Sequence, residues 1–325
     1  MCGICGFYGI EDKELLNRMM DVMKHRGPDE YGTYIGRNVC MGHRRLSIID
    51  LKTGKQPISN ESGSIYVVHN GEIYNFIELR KELEKKGHKF YTNSDSEVIV
   101  HMYEEEGVDC VKRFNGQFAF AIWDDGRRRL FIARDRMGIK PLYYALVDKV
   151  FFFASEIKAI LQYKEFPKRI NYVALNNFFT YRFIHGKITA LQDVQKLEPG
   201  HYLTYDKAHG LKINQYWDFD FRPGHESIQH YIHKFRSLLK DSVKKRLISD
   251  VPLGAFIGGG IDSNSIIAYM AEFIQEPIKT FTLGFAGESD TFNEFKPSRI
   301  VADYYKTDHH EILIESKEVL SLIHI

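Results

Sequence analysis

The chain has 325 residues, with 44 Lys and Arg against 43 Asp and Glu, a formal net charge of +1 and 44% hydrophobic residues. That length suits about two domains at the usual ~150 residues each, and the near-neutral balance gives no electrostatic basis for a nucleic-acid or anionic-membrane partner. No apolar run approaches the ~18 residues of a spanning helix and the N-terminus lacks the zones of a signal peptide; the four cysteines are too few for a disulfide scaffold, so a cytoplasmic protein is expected.

Up to about Asp218 the chain reads as short β runs broken by turns: GICGFYGI, SIYVVHNGEIY, GQFAFAIWD, RLFIARD, LYYALVDKVFFFAS and HYLTYD. Helical periodicity appears at 13–24, where Leu15, Leu16, Met19, Met20 and Met23 share one face, and again at 76–86 and 94–106. Asp125-Gly126 predicts a hairpin between FAFAIWD and LFIARD. Two packed sheets with helices outside are expected. The polar stretch DFDFRPGHES then separates a domain at 2–217 from a second at 218–325. There the pattern alternates: helix 227–246, buried strand VPLGAFIG, helix 262–274, strand IKTFTLGF, helix 294–305, strand HHEILI. Alternation of this kind predicts a parallel α/β unit, but a doubly wound sheet has about five or six strands. The second domain therefore reads as incomplete, and the C-terminus as a truncation.

Cys2 follows the initiator Met1 directly, and removal of Met1 would leave one residue carrying both a thiol and a free α-amine. The amine titrates near ~7.7 to 8.0 and the thiol near ~8.5, so the amine can serve as the base for the thiol. Cys2 and Cys5 also form a C-x-x-C pair, but no second metal-binding pair follows and the pair opens a strand, which argues against a zinc or redox site. Asn70-Gly71 could form a tight turn, or could offer the Asn amide and the Gly71 N–H to a developing oxyanion. Arg45 carries a planar fork that can hold a carboxylate at both oxygens. Glu72 and Asp95 could receive an ammonium group, although Asp95 could equally cap the helix that follows.

Five segments, HRGPDE (25–30), HRRLSIIDL (43–51), HNGEIYN (69–75), SDSEV (94–98) and RDRMGIKPLYY (134–144), resemble in order the glutaminase domain of class II glutamine amidotransferases, closest to the glutamine-hydrolysing asparagine synthetase branch. The resemblance implies an α+β N-terminal-nucleophile αββα sandwich, followed by part of an α/β parallel-sheet synthetase domain of the adenine-nucleotide hydrolase type. It assigns Cys2 as nucleophile, and Asn70 and Gly71 as the oxyanion hole. Glutamine is held by Arg45, the backbone of Leu46, Ser47, Ile48 and Ile49, and by Glu72 and Asp95. His25, Arg26, Gly27, Pro28 and Asp29 shape the loop beside the nucleophile, without a catalytic role.

Further on, Gly258, Gly259 and Gly260 lie between a strand and a helix opened by Ile261, Asp262 and Ser263, an arrangement that is either a plain tight turn or an anion cradle. The Walker spacing and its lysine are absent. SDVPLGAFIGGGIDSNSI is similar to the pyrophosphate loop of asparagine and β-lactam synthetases, with Gly258 in place of the usual serine. By that likeness Gly258, Gly259, Gly260, Asp262 and Ser263 hold ATP or pyrophosphate, Asp262 holds Mg2+ through the pyrophosphate, and Ile257 and Leu283 frame the adenine. The implied activity is glutamine hydrolysis with transfer of ammonia, through an internal tunnel, to an ATP-activated carboxylate. Aspartate is the expected acceptor, with ATP and Mg2+ as co-substrate and counter-ion, no tightly bound organic cofactor, and room for a homodimer. Two alternatives are an amidotransferase for another carboxylate, such as a sugar acid or cell-envelope precursor, and a truncated glutamine-binding or interaction protein without synthetase activity.

Overall fold

A computed structural model describes residues 1–287, 293–315 and 317. They form two compact units, Met1–Phe221 and Arg222–Ile325.

The first unit is built on two six-stranded antiparallel sheets. In spatial order the first contains Gln195–Lys196, Tyr143–Val147, Val150–Ala154, Gly3–Tyr8, Val39–Arg45 and Glu30–Gly36. The second runs Gly210–Gln215, His201–Asp206, Arg129–Arg134, Gly116–Asp124, Ile65–Ile73 and Ile58–Ser59. Because side chains alternate along a strand, the first strand sends Ile4 and Tyr8 into the core between the sheets, while Cys5 and Phe7 face the outer core. The second sheet does likewise, with Val68, Ala119, Ala121 and Trp123 inward and Val67, Phe118, Phe120 and Ile122 outward. A strand buried on both faces reads as a continuous apolar run, which explains GICGFY and GQFAFAIWD.

Helix Lys13–Asp21 covers the first sheet with Leu15, Leu16, Met19 and Met20, and its N-cap Asp12 accepts from Leu15 N at 2.8 Å. It ends earlier than the periodicity suggested, because the chain turns after Asp21 and Met23 N bonds to Met20 O instead. Helices Phe76–Lys85 and Glu97–Glu106 cover the second sheet. The layers are therefore helix, sheet, sheet, helix.

Several local expectations are corrected. The hairpin between Gly116–Asp124 and Arg129–Arg134 turns over four residues, with positive φ at Arg128 (51°) and not at Gly126, and Asp124 Oδ1 accepts from Arg127 N. The run LYYALVDKVFFFAS is two strands joined at Asp148 and Lys149, both with positive φ (49° and 67°). Helix Tyr172–Tyr181 had no sequence signal because its aromatic residues read as β-formers.

In the second unit, helix Ile228–Lys245 starts at Ser227, whose side chain accepts from His230 N. Strands Gly254–Phe256, Lys279–Phe285 and Asp308–Ile314 form a parallel sheet with Lys279–Phe285 in the middle. Helices Ile261–Met270 and Phe295–Tyr305 pack with Ile228–Lys245 around Val243, Ile257, Ile267, Met270 and Ala302. VPLGAFIG is not the buried strand expected: only Gly254–Phe256 is extended, and Phe256 is 71% exposed. It pairs on one side only, at the edge of the described sheet.

Candidate active site

Along three strands of the first unit the inter-sheet core gives way to polar residues on the same alternation. Ile4 is followed outward by Cys2, Met41 by His43 and Arg45, and Val68 by Asn70 and Glu72. Gly3 pairs with Arg44, so Cys2 meets the chain leaving Val39–Arg45. Its Sγ lies 3.4 Å from Leu46 N and 3.7 Å from Leu46 O. Arg26 donates from Nε to the Cys2 carbonyl at 2.9 Å and from NH1 to Glu156, which also pairs with His25 Nε2 at 2.9 Å. Asp29 accepts from Ser47 N at 2.8 Å. The 25–30 segment thus grips both the Cys2 backbone and the loop that contacts its sulfur.

Burial pushes the Cys2 thiol up, against the Leu46 backbone hydrogen bond and the α-amine, which favour the thiolate. Burial likewise lowers the α-amine, here still on Met1, toward its neutral, proton-accepting form. The imidazoles of the two motifs are poor substitutes as base. His43 and His69 are both held down to about 3, chiefly by burial, and His43 Nε2 and His69 Nδ1 are engaged with the His69 carbonyl and Ser96 Oγ.

Asn70-Gly71 is no turn. Both residues lie within Ile65–Ile73, paired with Ala119 and Phe118. Gly71 has φ 153°, and a Cβ there would stand 2.0 Å from the Gln117 carbonyl oxygen, so only glycine fits. Asn70 is 1% exposed, and its Nδ2 is buried without a hydrogen-bond partner; Glu72 Oε2 is in the same condition. A donor and an acceptor left bare two residues apart on one strand face are costly, and such atoms call for an explanation. Asp95 accepts from Ile73 N at 2.8 Å and does not cap helix Glu97–Glu106, whose N-cap is Ser96. The Glu72 carboxyl is raised by burial and by the neighbouring Asp95 carboxyl, and burial raises Asp95 as well.

Arg45 is buried and already engaged: NH1 donates to Glu30 at 2.7 Å, and NH2 to the carbonyls of Ile49 and Asp50 at 2.9 and 2.6 Å. Its fork therefore shapes the 46–50 loop, leaving Nε and one NH1 hydrogen for a ligand. One contributor was missed in sequence. Lys140 is 8% exposed, its amine is lowered by burial, and its charge acts on Glu72 and Cys2. Asp135 gathers the N–H groups of Phe118, Met137, Ile139 and Lys140 and so sets the loop that carries it. The RDRMGIKPLYY motif was the available signal.

In the second unit the glycines lead into helix Ile261–Met270, with Asp262 in its first turn. Gly258 N donates to Ser263 Oγ at 3.3 Å, and Ser263 Oγ donates to Gly260 O at 3.2 Å. Glu294 Oε2 accepts from Gly259 N at 3.0 Å, in the space a Cβ on Gly258 would occupy at 2.1 Å. A carboxylate thus already sits on the loop's N–H, the chemistry an anion cradle requires. The Ile257 N–H bonds to Phe281 O and its carbonyl accepts from Thr282 Oγ1, which leaves only the carbonyl's second lone pair for a base; Leu283 is 41% exposed.

A cysteine at the head of a central strand, with two facing sheets and helices outside them, has the layering of the N-terminal-nucleophile fold. A family described as "Glutamine amidotransferase domain" matches residues 1–217, and one described as "Asparagine synthase" matches 234–324. Asparagine synthetase [glutamine-hydrolyzing] 3 of Bacillus subtilis is 35% identical over 98% of this chain and 55% of its own length. A putative asparagine synthetase [glutamine-hydrolyzing] 2 of Methanocaldococcus jannaschii is 38% identical over 99% of this chain and 67% of its own length. Among solved structures, a glutamine phosphoribosylpyrophosphate amidotransferase from B. subtilis superposes with TM-score 0.51 at 16% identity, covering 98% of this chain and 92% of that one, a likeness of fold alone. The chain belongs to the glutamine-hydrolysing asparagine synthetase family, and spans 55% and 67% of the length of these two relatives. Among the described residues no helix is long and apolar enough to cross a membrane.

Proposed function

We propose that Cys2, freed of Met1, hydrolyses glutamine to glutamate and ammonia, and that the second unit belongs to a synthetase domain that activates a carboxylate, aspartate first among candidates, for amidation by that ammonia. The α-amine of Cys2 takes the thiol proton as sulfur attacks the carboxamide carbon. The carbonyl oxygen becomes an oxyanion facing Asn70 Nδ2 and Gly71 N–H. Collapse expels ammonia, protonated by the α-ammonium, and leaves a thioester that water hydrolyses. Glu72 and Asp95 receive the substrate's ammonium, and Arg45 with the 46–49 backbone receives its carboxylate. The observation that carries this reading is the pair of bare buried atoms, Asn70 Nδ2 and Glu72 Oε2, which match an oxyanion and an ammonium in sign and in order. A glutamine-mimicking electrophile should label Cys2 in chains that have lost Met1 and no other thiol; label on another cysteine, read by peptide mass spectrometry, would overturn the assignment.

Burial pushes the Glu72 and Asp95 carboxyls up, Glu72 with a further push from Asp95, and so favours a proton on the pair, whereas an ammonium bound beside it favours the ionised form. Glutamine binding should therefore release protons, and the glutamine KM should fall as rising pH ionises the pair, then level off. Calorimetry on Cys2→Ala protein in buffers of different protonation enthalpy measures this release; uptake, or no exchange, contradicts the assignment of Glu72.

For the nucleotide, Gly259, Gly260 and Ser263 would hold phosphate oxygens and Asp262 the accompanying Mg2+; ATP, when bound, supplies the leaving group that activates the carboxylate. Glu294 is the like-charged occupant it must displace. Glu294→Gln should tighten pyrophosphate binding by about threefold to tenfold, since removing one like charge at contact in a solvated loop is worth roughly 1 kcal/mol. Weaker binding in that variant would show the carboxylate to be a ligand and not a competitor.

A further inference from the structure

On the outer face of the first unit, away from the nucleophile and behind the second sheet, Glu61, His88, His101 and Glu104 each bring one donor atom to within 4.8 Å of all the others. They come from the turn after Ile58–Ser59, the segment after Phe76–Lys85, and adjacent turns of Glu97–Glu106. His88 Nδ1 is 3.1 Å from Glu61 and 3.9 Å from Glu104, and His101 Nδ1 is 3.3 Å from Glu61. His101 is 0% exposed, yet its Nδ1 has no partner in hydrogen-bond geometry. A fully buried ring nitrogen left bare and aimed at carboxylates asks for something between them.

We propose that these four residues form a structural zinc site. Two features favour a metal over an ion-pair cluster. Each histidine turns Nδ1 inward and sets Nε2 toward a further carboxylate, His88 to Glu105 at 3.2 Å and His101 to Glu97 at 3.5 Å. Such an outer carboxylate fixes the tautomer and orientation of a metal-bound imidazole. Moreover, those outer groups are themselves anchored: Glu97 is fully buried and accepts from Tyr91 N and Thr92 N, and Glu105 pairs with Lys86 at 2.9 Å. Two imidazoles and two carboxylates suit Zn2+, at ~2.0 to 2.2 Å per ligand, better than Mg2+ or Ca2+, which take oxygen sets. Tetrahedral ligands at that distance stand ~3.3 to 3.6 Å apart, so donors now up to 4.8 Å apart would draw in by about 1.2 to 1.5 Å. The ion would pin the 60–64 turn and the 86–90 segment to the helix that carries His101, adding a cross-link to the layer over the second sheet.

The test uses the full chain as Cys2→Ala, which removes the thiol as a competing chelator. Titration of metal-free protein with ZnCl2, followed by equilibrium dialysis and elemental analysis, should give one tightly held ion per chain and a melting temperature about 5 °C higher at saturation. Co2+ in its place should show the visible absorption of a four-coordinate site, without a thiolate charge-transfer band. His88→Gln and Glu104→Gln, both at partly exposed positions, should fold as judged by circular dichroism and bind at least ten times more weakly; Glu105→Gln should weaken binding tenfold to a hundredfold. No binding at tens of micromolar Zn2+, or binding unchanged in the His88 and Glu104 variants, would overturn the site.

Discussion

Cys2→Ala protein should release glutamate from glutamine at least ~10^4-fold more slowly than the parent chain, with its fold intact, because losing a covalent nucleophile costs at least that much where it has been measured. No other thiol can take over. Cys5, Cys40 and Cys110 are buried, and burial pushes each of their thiols up and away from the nucleophilic thiolate. Cys2 itself is half-buried and contributes one short side chain, so stability should change by less than about 1 kcal/mol. Chains that keep Met1 should share the defect although their sulfur is present, since the amine then lies one residue too far along. A coupled glutamate assay, with intact mass to score Met1 and circular dichroism to score folding, measures all three. More than about one hundredth of parental turnover in well-folded Cys2→Ala protein would rule out the proposed chemistry.

Asn70→Ala should lower kcat by ~10^2 to 10^3 and leave the glutamine KM within a few-fold, the pattern for a donor that acts on charge present only in the transition state. The backbone ladder to Ala119 survives the change, and the Gly71 N–H remains as the second donor. Stability should move in the opposite direction. Nδ2 is buried without a partner, and an unmet donor costs roughly 1 to 3 kcal/mol in the folded state, so the variant should melt at the parental temperature or above. A large rise in KM with kcat preserved would show that Asn70 binds the ground state instead. Denaturation curves alongside steady-state kinetics separate the cases.

Much of this was legible in the chain, for physical reasons that differ by region. Continuous apolar runs marked strands buried on both faces, as in GQFAFAIWD, and helix 13–21 declared itself by a methionine and leucine face. The strands Glu30–Gly36 and Val39–Arg45 did not, because glycines interrupt the first and the second ends in His43, Arg44 and Arg45, charges tolerated where the core opens into the site. Of the residues assigned by resemblance, Cys2, Arg45, Glu72 and Asp95 lie near enough to bias one another's charge, and Cys2 touches Leu46. What sequence could not give was mutual engagement. Arg26, read only as loop structure, holds the Cys2 carbonyl; Arg45 is committed to its own loop; Glu294 lies on the glycine turn. The histidine and glutamate cluster joins positions 61, 88, 101 and 104, a spacing that matches no linear metal motif.

The first strand, Gly3–Tyr8, is hydrogen-bonded to a neighbour on each side, and it is complete with Met1 still attached and 60% exposed. Trimming that residue removes no rung of either ladder. If the proposed chemistry holds, the polypeptide with Met1 in place would be folded yet inactive, and the change that activates it would touch no backbone hydrogen bond of either ladder. Folding and activation can then be followed as separate kinetic processes, and a protein that looks native by every spectroscopic criterion can still be catalytically silent.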